Sequence, residues 1–269
     1  MFKVAVLCCL VIMPAIGFSV FRQGAMRTKE LRKSISIGIA ALGFLQQPNI
    51  ATASSAPYDS FAESYDKMDG GSIADVLGLN DLRSKAGEQV SGDVLEIAIG
   101  TGLQSQYYDF GKIRSFNGID SSQGMLKLAK ERIDGRIASL ASDKPSSYVG
   151  IKTNLAVADA TDLSRFQSDS FDTVIDTFSF CVFNEPNKVM EELKRVVRPG
   201  GTVVLLENSV STQPLLKLIQ DFTEPIVTPL SKDCRWNVNI PKIAENSGLE
   251  LIKKEEIQQG TILYGIYSK

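Results

Sequence analysis

The stretch VLEIAIGTGL, residues 94–103, decides the fold class of this chain. Residues 94–98 form a short, largely apolar run, which is typical of a strand buried in a sheet. Gly100 and Gly102 break that run, and we expect a tight turn there, followed by a helix. Glycines in such a turn let a ligand approach the backbone closely, and Glu96 supplies a carboxylate for a cationic ligand. The stretch therefore predicts a strand–turn–helix unit that binds a ligand at its turn.

Further apolar runs alternate with helical patterns along the chain. Strands are predicted at 114–119, 154–158, 171–177 and 202–206. Within 123–133, one helical face is apolar and contains Met125, Leu126, Ala129 and Ile133. A second apolar face precedes the Arg-Pro-Gly-Gly sequence at 198–201, which is expected to end its helix, and contains Val189, Met190, Leu193, Val196 and Val197. Strands that alternate with helices favour a doubly wound parallel sheet.

The C-terminal part departs from this alternation. Two strand-like runs, 249–254 and 261–267, are separated only by 255–260. A connector this short allows antiparallel pairing but no helical crossover. The predicted fold class is therefore α/β: a doubly wound, mostly parallel, seven-stranded sheet with helices on both faces and a C-terminal antiparallel hairpin.

The amino-acid composition excludes several classes of function. The 269 residues are 43% hydrophobic and 22% charged, with a formal net charge of −2, as in ordinary soluble domains. No broad basic surface is implied, so no nucleic-acid partner is expected. The chain has no histidine, which excludes histidine bases, Ser-His-Asp triads and histidine metal sites. No metal site or disulfide framework is expected, because no CxxC pair occurs among Cys8, Cys9, Cys181 and Cys234.

Residues 1–53 are interpreted as a targeting leader. They hold six lysines and arginines against one acid, whereas 54–269 hold 23 basic and 30 acidic residues. An apolar run at 4–13 with a small-x-small cleavage signal at 15–17 is typical of a signal peptide, and a basic, acid-poor stretch follows. A second apolar run at 34–45 is either a transfer signal or an anchor. This bipartite pattern predicts plastid import, with the secretory pathway and the mitochondrion as alternatives, and leaves one domain.

Two acids end the second and third predicted strands. Asp120 follows 114–119, where a carboxylate can accept both hydroxyls of a ribose, at roughly 1.5–3 kcal/mol for each charged hydrogen bond. Asp159 and Ala160 follow 154–158, where a side chain can take an adenine amino group. Both positions lie at the carboxyl edge of the sheet, where open α/β folds bind ligands. Alternatively, each acid caps the helix that follows it.

Taken in order, these segments resemble the class I S-adenosylmethionine-dependent methyltransferases over about 58–269. The matching segments are VLEIAIGTGL, GIDSSQGML, VADATDL, FDTVIDTFSFCVF, LKRVVRPGG and the terminal hairpin. AESYDKMDGG before the sheet, together with LKRVVRPGG, looks like the ubiquinone/menaquinone-type branch and its methyltransferase type 11-like relatives, which act on lipids or thiols. The resemblance implies a Rossmann-like methyltransferase fold over 54–269 with S-adenosyl-L-methionine as cofactor.

The resemblance also assigns the methionine part of the cofactor. In that family it is held by the residues that match Glu96, Gly100 and Gly102. The usual pattern is acid-x-Gly-x-Gly-x-Gly, and Ala98 stands here at the first glycine. We expect its methyl group to be tolerated if the backbone keeps φ below zero. The alternative for Glu96 is a strand-end acid with only a local backbone partner.

The rest of the implied cofactor site follows the next two strands. In the family, the residues that match Asp120 and Met125 hold ribose and adenine, and the one that matches Asp159 holds the adenine. Met125 is equally suited to plain core packing. The complete set of candidate cofactor-binding residues is Glu96, Ala98, Gly100, Thr101, Gly102, Asp120, Ser121, Met125, Asp159, Ala160, Thr177 and Tyr65.

Two other interpretations stay open. Asp120 is also compatible with a dinucleotide-binding oxidoreductase. The G-x-G-x-x-G fingerprint of that class needs a glycine at position 105, where this chain has Ser105, and the terminal hairpin also argues against that class. A catalytically weak methyltransferase-fold protein that serves as an assembly or scaffold factor is the alternative suggested by Ala98. Retention of the other cofactor-site residues argues against that alternative.

Methyl transfer needs few catalytic residues that a sequence motif would reveal. It is an in-line displacement in which the protein positions two reactants and excludes water. Without histidine, a catalytic base would have to be Asp, Glu, Lys, Tyr or Cys. Asp176 and Asn208 lie near predicted strand ends, but no catalytic residue is assigned. Tyr58 and Tyr65 either close over the cofactor, with Tyr65 facing the sulfonium, or pack on the sheet edge. Cys181 is expected to be a small buried hydrophobe.

The segment 209–236, between the fifth strand and the last helix, bears on the acceptor. It is notably apolar and contains Leu215, Leu216, Leu218, Ile219, Phe222, Ile226, Val227 and Leu230. It forms either a lid or lipid-facing wall for a hydrophobic substrate, or a core helix packed on the sheet. The expected acceptor is small and hydrophobic: a prenylquinone-like phenol, a lipid or a thiol. Peripheral membrane association is consistent with such an acceptor, and the oligomeric state stays open.

Overall fold

The structure is a computed structural model that describes residues 58–59, 78–143, 151–231 and 233–269. Its strands are β1 (Gly92–Glu96), β2 (Ile113–Asp120), β3 (Lys152–Val157), β4 (Phe171–Thr177), β5 (Val197–Asn208), β6 (Glu250–Ile257) and β7 (Ile262–Ser268). Its α-helices are α1 (Leu79–Glu88), α2 (Gln123–Asp143), α3 (Pro186–Val196), α4 (Pro214–Leu230) and α5 (Ile240–Ser247). The predicted leader, its boundary with the domain and Tyr65 lie outside the described residues and stay predictions.

The seven strands form one sheet in the order β3-β2-β1-β4-β5-β7-β6. β1 pairs in parallel with β2 and β4, β2 with β3, and β4 with β5. β7 inserts antiparallel between β5 and β6. The predicted fold class is confirmed, including the terminal hairpin.

The strand order reverses between β1 and β4, which positions the site. Chain order runs outward from β1 through β2 to β3, then returns to β4 on the other side of β1. Loops on the two sides therefore diverge at the carboxyl ends of β1 and β4, and ligands of open α/β sheets bind in that crevice. The ends of β1, β2, β4 and β5 all reach this edge.

The buried faces of two helices confirm the predicted helical patterns. In α2, the predicted apolar residues are at most 4% exposed, and in α3 and the start of β5 they are fully buried. α2 packs on β2 and β3, whereas α3 packs on β5 and α5. Both faces pack against the sheet, so the residues that the helical spacing predicts to be buried are buried.

Two local predictions need correction. The helix expected after Gly102 is a short 3-10 helix, Leu103–Tyr107, followed by a second one, Phe110–Lys112. Ser105 tightens the first by donating both its N–H (3.0 Å) and its hydroxyl (2.7 Å) to the Gly102 carbonyl. The Arg-Pro-Gly-Gly sequence follows the end of α3 as predicted but belongs to β5, whose pairing with β4 is irregular there.

The apolar segment after β5 forms a helix that packs on the domain, as one of the two interpretations predicts, and the lid or lipid-facing role stays a prediction. α4 buries Leu216, Gln220 and Val227 against the domain. Its outer face exposes Leu215, Leu218, Phe222 and Ile226, by 49%, 65%, 64% and 39%. Among the described residues, no helix is both long enough and apolar enough to cross a membrane. α4 is therefore a packed helix with an apolar outer stripe.

Candidate functional site

The turn after β1 is built from left-handed backbone. Ala98, Gly100 and Gly102 have φ values of +44°, +57° and +74°. The expectation that Ala98 keeps φ below zero is therefore wrong. A left-handed non-glycine residue costs roughly 1–2 kcal/mol, so the turn holds strain at the position where the family pattern has glycine.

The two glycines of the turn serve different purposes. A Cβ built on Gly102 would lie 3.1 Å from the Cα of Ala129 in α2, so Gly102 permits close helix packing. A Cβ on Gly100 would meet only the Ala98 carbonyl oxygen, at 4.0 Å, and otherwise open space. Thr101 between them is buried and held by Arg132 of α2, whose guanidinium donates to its carbonyl (2.5 Å) and its hydroxyl (2.9 Å). The open side at Gly100 is where a ligand can approach the backbone.

Asp120, at the end of β2, joins the turn to the start of α2. Its Oδ2 accepts the Gly100 N–H and its Oδ1 accepts the Ser122 N–H, both at 2.8 Å. Burial raises the pKa of this carboxyl, and the backbone hydrogen bonds oppose that rise. The Ser121 N–H also bonds this carboxyl, so about one lone pair remains for a ligand, since a carboxylate can accept about four hydrogen bonds. Ser121 is exposed beside it, and Met125 is buried one turn into α2.

The cap of α2 includes a residue that sequence reasoning missed. Asp59 Oδ1 accepts the Gly124 N–H at 2.9 Å and the Ser122 hydroxyl, and these bonds lower the pKa of Asp59. The capping role proposed as an alternative for Asp120 therefore falls to Ser122, whose hydroxyl accepts the Met125 N–H at 3.1 Å, and Asp59 supports this cap. No sequence signal marks Asp59, because it precedes the helix by more than sixty residues.

Asp159 lies after β3 and bonds locally. Its exposed carboxylate accepts the N–H and the hydroxyl of Thr161, both at 2.8 Å, which closes a local turn; no described helix starts there, so the helix-capping alternative for Asp159 is wrong. Ala160 beside it is buried. The Ala158 N–H donates to the Asp120 carbonyl at 3.1 Å, which brings the start of this loop to the end of β2.

Glu96, at the end of β1, is 1% exposed. Tyr108 donates its hydroxyl to Glu96 Oε2 at 2.8 Å. Burial raises the pKa of Glu96 to about 8, while the Tyr108 hydrogen bond and the charge of Arg83 oppose that rise. The alternative of a purely local backbone partner is wrong, since the partner is a side chain beyond the turn. Tyr108 and Arg83 were missed, because nothing in their local sequence marks them.

Two further acids lie at the ends of β4 and β5. Asp176 and Glu207 are both fully buried; Asp176 raises the pKa of Glu207, whereas the hydrogen bond from Glu207 lowers that of Asp176. Burial is the largest cause, and it raises the pKa of Asp176 to about 6 and that of Glu207 well above its usual range. Thr177, a predicted cofactor-site residue, directly follows Asp176 and is half-buried.

Tyr58 lies at the same edge. Burial raises the pKa of its hydroxyl, and the neighbouring groups that raise it further include Cys181, Cys234 and Asp120. Tyr58 is therefore packed at the carboxyl edge of the sheet, and its closure over a cofactor stays a prediction. Cys181 is buried, as predicted.

Together the four central strands collect carboxyl groups from Glu96, Asp120, Asp176 and Glu207. The charges of Asp176 and Asp120 each raise the pKa of Glu96, so the groups are close enough to interact. Buried like charges favour retention of protons or binding of a cation. The arrangement can therefore receive a ligand with a cationic end and a hydroxylated end.

Residues 95–205 match the family model described as a methyltransferase domain. The chain therefore carries a methyltransferase domain. The matched residues run from within β1 to within β5 and include Glu96, Asp120 and Asp176, and Glu207 lies two residues beyond them.

Two relatives and one solved structure show the extent of this likeness. The chain is 25% identical over 192 residues (69% of the chain, 40% of the relative) to the mitochondrial methyltransferase OMS1 of Saccharomyces cerevisiae. It is 34% identical over 147 residues (54% of each) to a demethylmenaquinone methyltransferase of Clavibacter sepedonicus. The chain thus spans about half the length of these relatives. A SAM-dependent methyltransferase of Thermotoga maritima shares the fold, with TM-score 0.54, 16% identity, and coverage of 79% of this chain and 98% of that chain.

The site of this methyltransferase domain fits the cofactor of its family. S-adenosylmethionine has a cationic ammonium and sulfonium, a ribose diol and an adenine. Glu96 and Asp120 supply carboxyl groups for the ammonium and the diol, and Gly100 leaves the backbone accessible between them. These groups are carboxyl oxygens, which accept hydrogen bonds from an ammonium and from hydroxyls, as such a cofactor requires.

Proposed function

We propose that the chain transfers a methyl group from S-adenosylmethionine to a small hydrophobic acceptor: a prenylquinone-like phenol, a lipid or a thiol. The part of this proposal that concerns the cofactor, its cofactor half, rests on the buried Glu96 and Asp120 on either side of the glycine turn. The acceptor half rests on one observation, the apolar outer stripe of α4. The name of the Clavibacter relative, a demethylmenaquinone methyltransferase, supports a prenylquinone-like acceptor.

The segment that follows α4 is attached to the edge of the site. The Arg235 N–H donates to the Cys181 carbonyl at 2.8 Å, which ties the segment after α4 to the loop after β4. A hydrophobic acceptor, or a membrane that carries one, can therefore contact α4 while its reactive atom is near the carboxyl edge. The chain's residues position the two reactants and exclude water, and the cofactor supplies the methyl group.

Calorimetric titration of S-adenosylmethionine and S-adenosylhomocysteine tests the cofactor half. We expect micromolar binding, weakened at least tenfold, or about 1.4 kcal/mol, by Asp120→Ala. Asp134→Ala, at an exposed acid of α2, is the control and should leave binding unchanged. No binding by a folded wild-type sample would favour the assembly or scaffold alternative, for which the strained Ala98 is the supporting observation.

Vesicle flotation tests the acceptor half. Leu218→Gln with Phe222→Gln should reduce flotation at least tenfold, since burial of one such side chain contributes about 1.5–3 kcal/mol. Leu251→Gln with Ile252→Gln is the matched control, because these β6 side chains are also exposed, by 50% and 60%. Equal flotation of wild type and the α4 variant would remove the lipid-facing role of α4.

We also propose that residues 1–53 direct the chain to an organelle. The mitochondrial OMS1 relative supports the mitochondrial alternative over the predicted plastid. Fusing 1–53 to a fluorescent protein and imaging it against markers of both organelles distinguishes them. Diffuse fluorescence would contradict organelle import altogether.

A further inference from the structure

Asp176 and Glu207 form a buried carboxyl pair that the methyl transfer described above does not use. β4 and β5 run side by side in parallel, with Asp176 opposite Leu205 and Thr177 opposite Leu206. The two carboxyl groups lie within hydrogen-bonding reach of each other. No N–H or hydroxyl donor among the described residues reaches Asp176 Oδ2, although this atom is buried. A proton shared between the carboxyls accounts for that atom, because two buried carboxylates this close cannot both ionise readily.

The pair holds the loop that follows β4, residues 177–181. Glu207 accepts two successive backbone N–H groups, from Ser179 to Oε1 at 3.0 Å and from Phe180 to Oε2 at 3.2 Å. Asp176 Oδ1 accepts the Ser179 hydroxyl at 2.5 Å. The loop needs such support because Phe178, just before the held residues, has a left-handed φ of +59°. Non-glycine residues persist there only where their surroundings enforce the conformation.

The loop has the cofactor site at one end and the acceptor side at the other. It starts at Thr177, a predicted cofactor-site residue, and ends at Cys181, whose carbonyl accepts the Arg235 N–H at 2.8 Å. The Arg235 guanidinium also donates to the Phe183 carbonyl. A displacement of the loop would therefore alter the cofactor site and the attachment of the segment after α4 together.

We propose that Asp176 and Glu207 are positioning residues that share one proton and thereby hold loop 177–181 in the conformation that binds the cofactor. This inference rests on the proposed function, because it assumes that S-adenosylmethionine binds at this edge. Three titratable groups face the pair: Glu96 from β1, Tyr108 after the turn, and Cys181 from the loop itself. Arg83 is the nearby cation on α1, beside Glu96 and Tyr108.

The two carboxyls should respond differently to replacement by an amide. Asn at 176 keeps an oxygen for the Ser179 hydroxyl, and its N–H donates to Glu207 as the shared proton did. Gln at 207 places an NH₂ group against a backbone N–H, so one of the two loop hydrogen bonds is lost. A merely structural pair would show no such asymmetry in ligand affinity.

Calorimetry with S-adenosylhomocysteine on the full chain tests this asymmetry. We expect Glu207→Gln to weaken binding at least tenfold and Asp176→Asn to change it less than threefold. Glu245→Gln, at an exposed acid of α5, is the control. Melting curves establish that each sample is folded. Equal affinities of folded Glu207→Gln and wild type overturn the inference, whereas absence of binding by the wild type overturns the proposed function together with it.

A pH series keeps the inference testable if Glu207→Gln does not fold. As the pH rises from neutral to the highest value at which both proteins stay folded, the wild type loses the shared proton and should lose affinity relative to Asp176→Asn, which has no such proton. The comparison is repeated with Glu96→Gln present in both proteins, because the charge of Asp176 raises the pKa of Glu96 and its replacement would otherwise shift that ionisation as well. A ratio that is constant over this range overturns the inference.

Discussion

Tyr108 donates its hydroxyl to Glu96 Oε2 across 2.8 Å, and both side chains are buried at the carboxyl end of β1. A neutral donor satisfies one oxygen but does not balance a charge. Burial therefore raises the pKa of Glu96 to about 8, so the protein without cofactor holds a proton there at neutral pH. A cationic cofactor reverses this preference, because an ammonium stabilises the carboxylate.

Cofactor binding should therefore be coupled to proton release. Below pH 8 the affinity for S-adenosylmethionine should rise with pH, by up to about tenfold for each unit, because the carboxylate form becomes more populated. Calorimetry at pH 7 in two buffers of different ionisation enthalpy should show release of about one proton. The Glu96→Gln variant should bind weakly, without the slope between pH 6 and 8. A wild type whose affinity is flat over that range would exclude Glu96 as the partner of the ammonium.

The same carboxyl should lower stability as the pH rises. Because the pKa of Glu96 is higher in the folded protein than its usual 4.5, stability falls between about pH 4.5 and 8 as the unfolded chain ionises first. Glu96→Gln has no carboxyl at this position and does not lose stability in this way. The free energy of unfolding of the variant minus that of wild type should therefore increase over that range, at about 1.4 kcal/mol or less for each pH unit, and become constant above it. Urea unfolding at pH 5, 6, 7 and 8 measures the difference. Parallel stability curves for the two proteins would contradict the raised pKa.

Much of the fold follows from local patterns in the sequence. Parallel strands buried on both faces appear as short apolar runs, so β4 matches its predicted range, Phe171–Thr177. The hairpin β6–β7 is predictable because its connector is too short for a helix. Asp120 is predictable as a site residue because it ends a strand at the carboxyl edge.

The contacts that tune the site could not be predicted in this way. Tyr108 reaches Glu96 only after an irregular turn and a 3-10 helix, and Glu207 meets Asp176 only through the β4–β5 pairing. Such contacts depend on register and loop conformation, which residue spacing alone does not determine. The left-handed backbone of Ala98 is likewise set by the turn around it and not by alanine's own preference.

Ala98→Gly should stabilise the protein by about 1 kcal/mol, because glycine adopts a φ of +44° without the steric cost that alanine pays there. Urea unfolding measures the change. Ala138→Gly is the control, since Ala138 is exposed within α2 and glycine there should destabilise by about 1 kcal/mol. Destabilisation by both variants would show that the turn does not strain Ala98.

Gly100→Ala and Gly102→Ala should separate ligand access from packing. Both add a methyl group at positive φ, but at Gly102 it would lie 3.1 Å from the Ala129 Cα, whereas at Gly100 it would project into open space. We expect Gly100→Ala to cost about 1 kcal/mol of stability and Gly102→Ala about 2–3 kcal/mol, because only the latter overpacks the turn against α2. Cofactor affinity should show a large loss for Gly100→Ala despite its smaller effect on stability, since its methyl group occupies the open side of the turn. Unfolding curves and calorimetry on the same samples provide both quantities. Unchanged affinity in a folded Gly100→Ala variant would place the cofactor away from this turn.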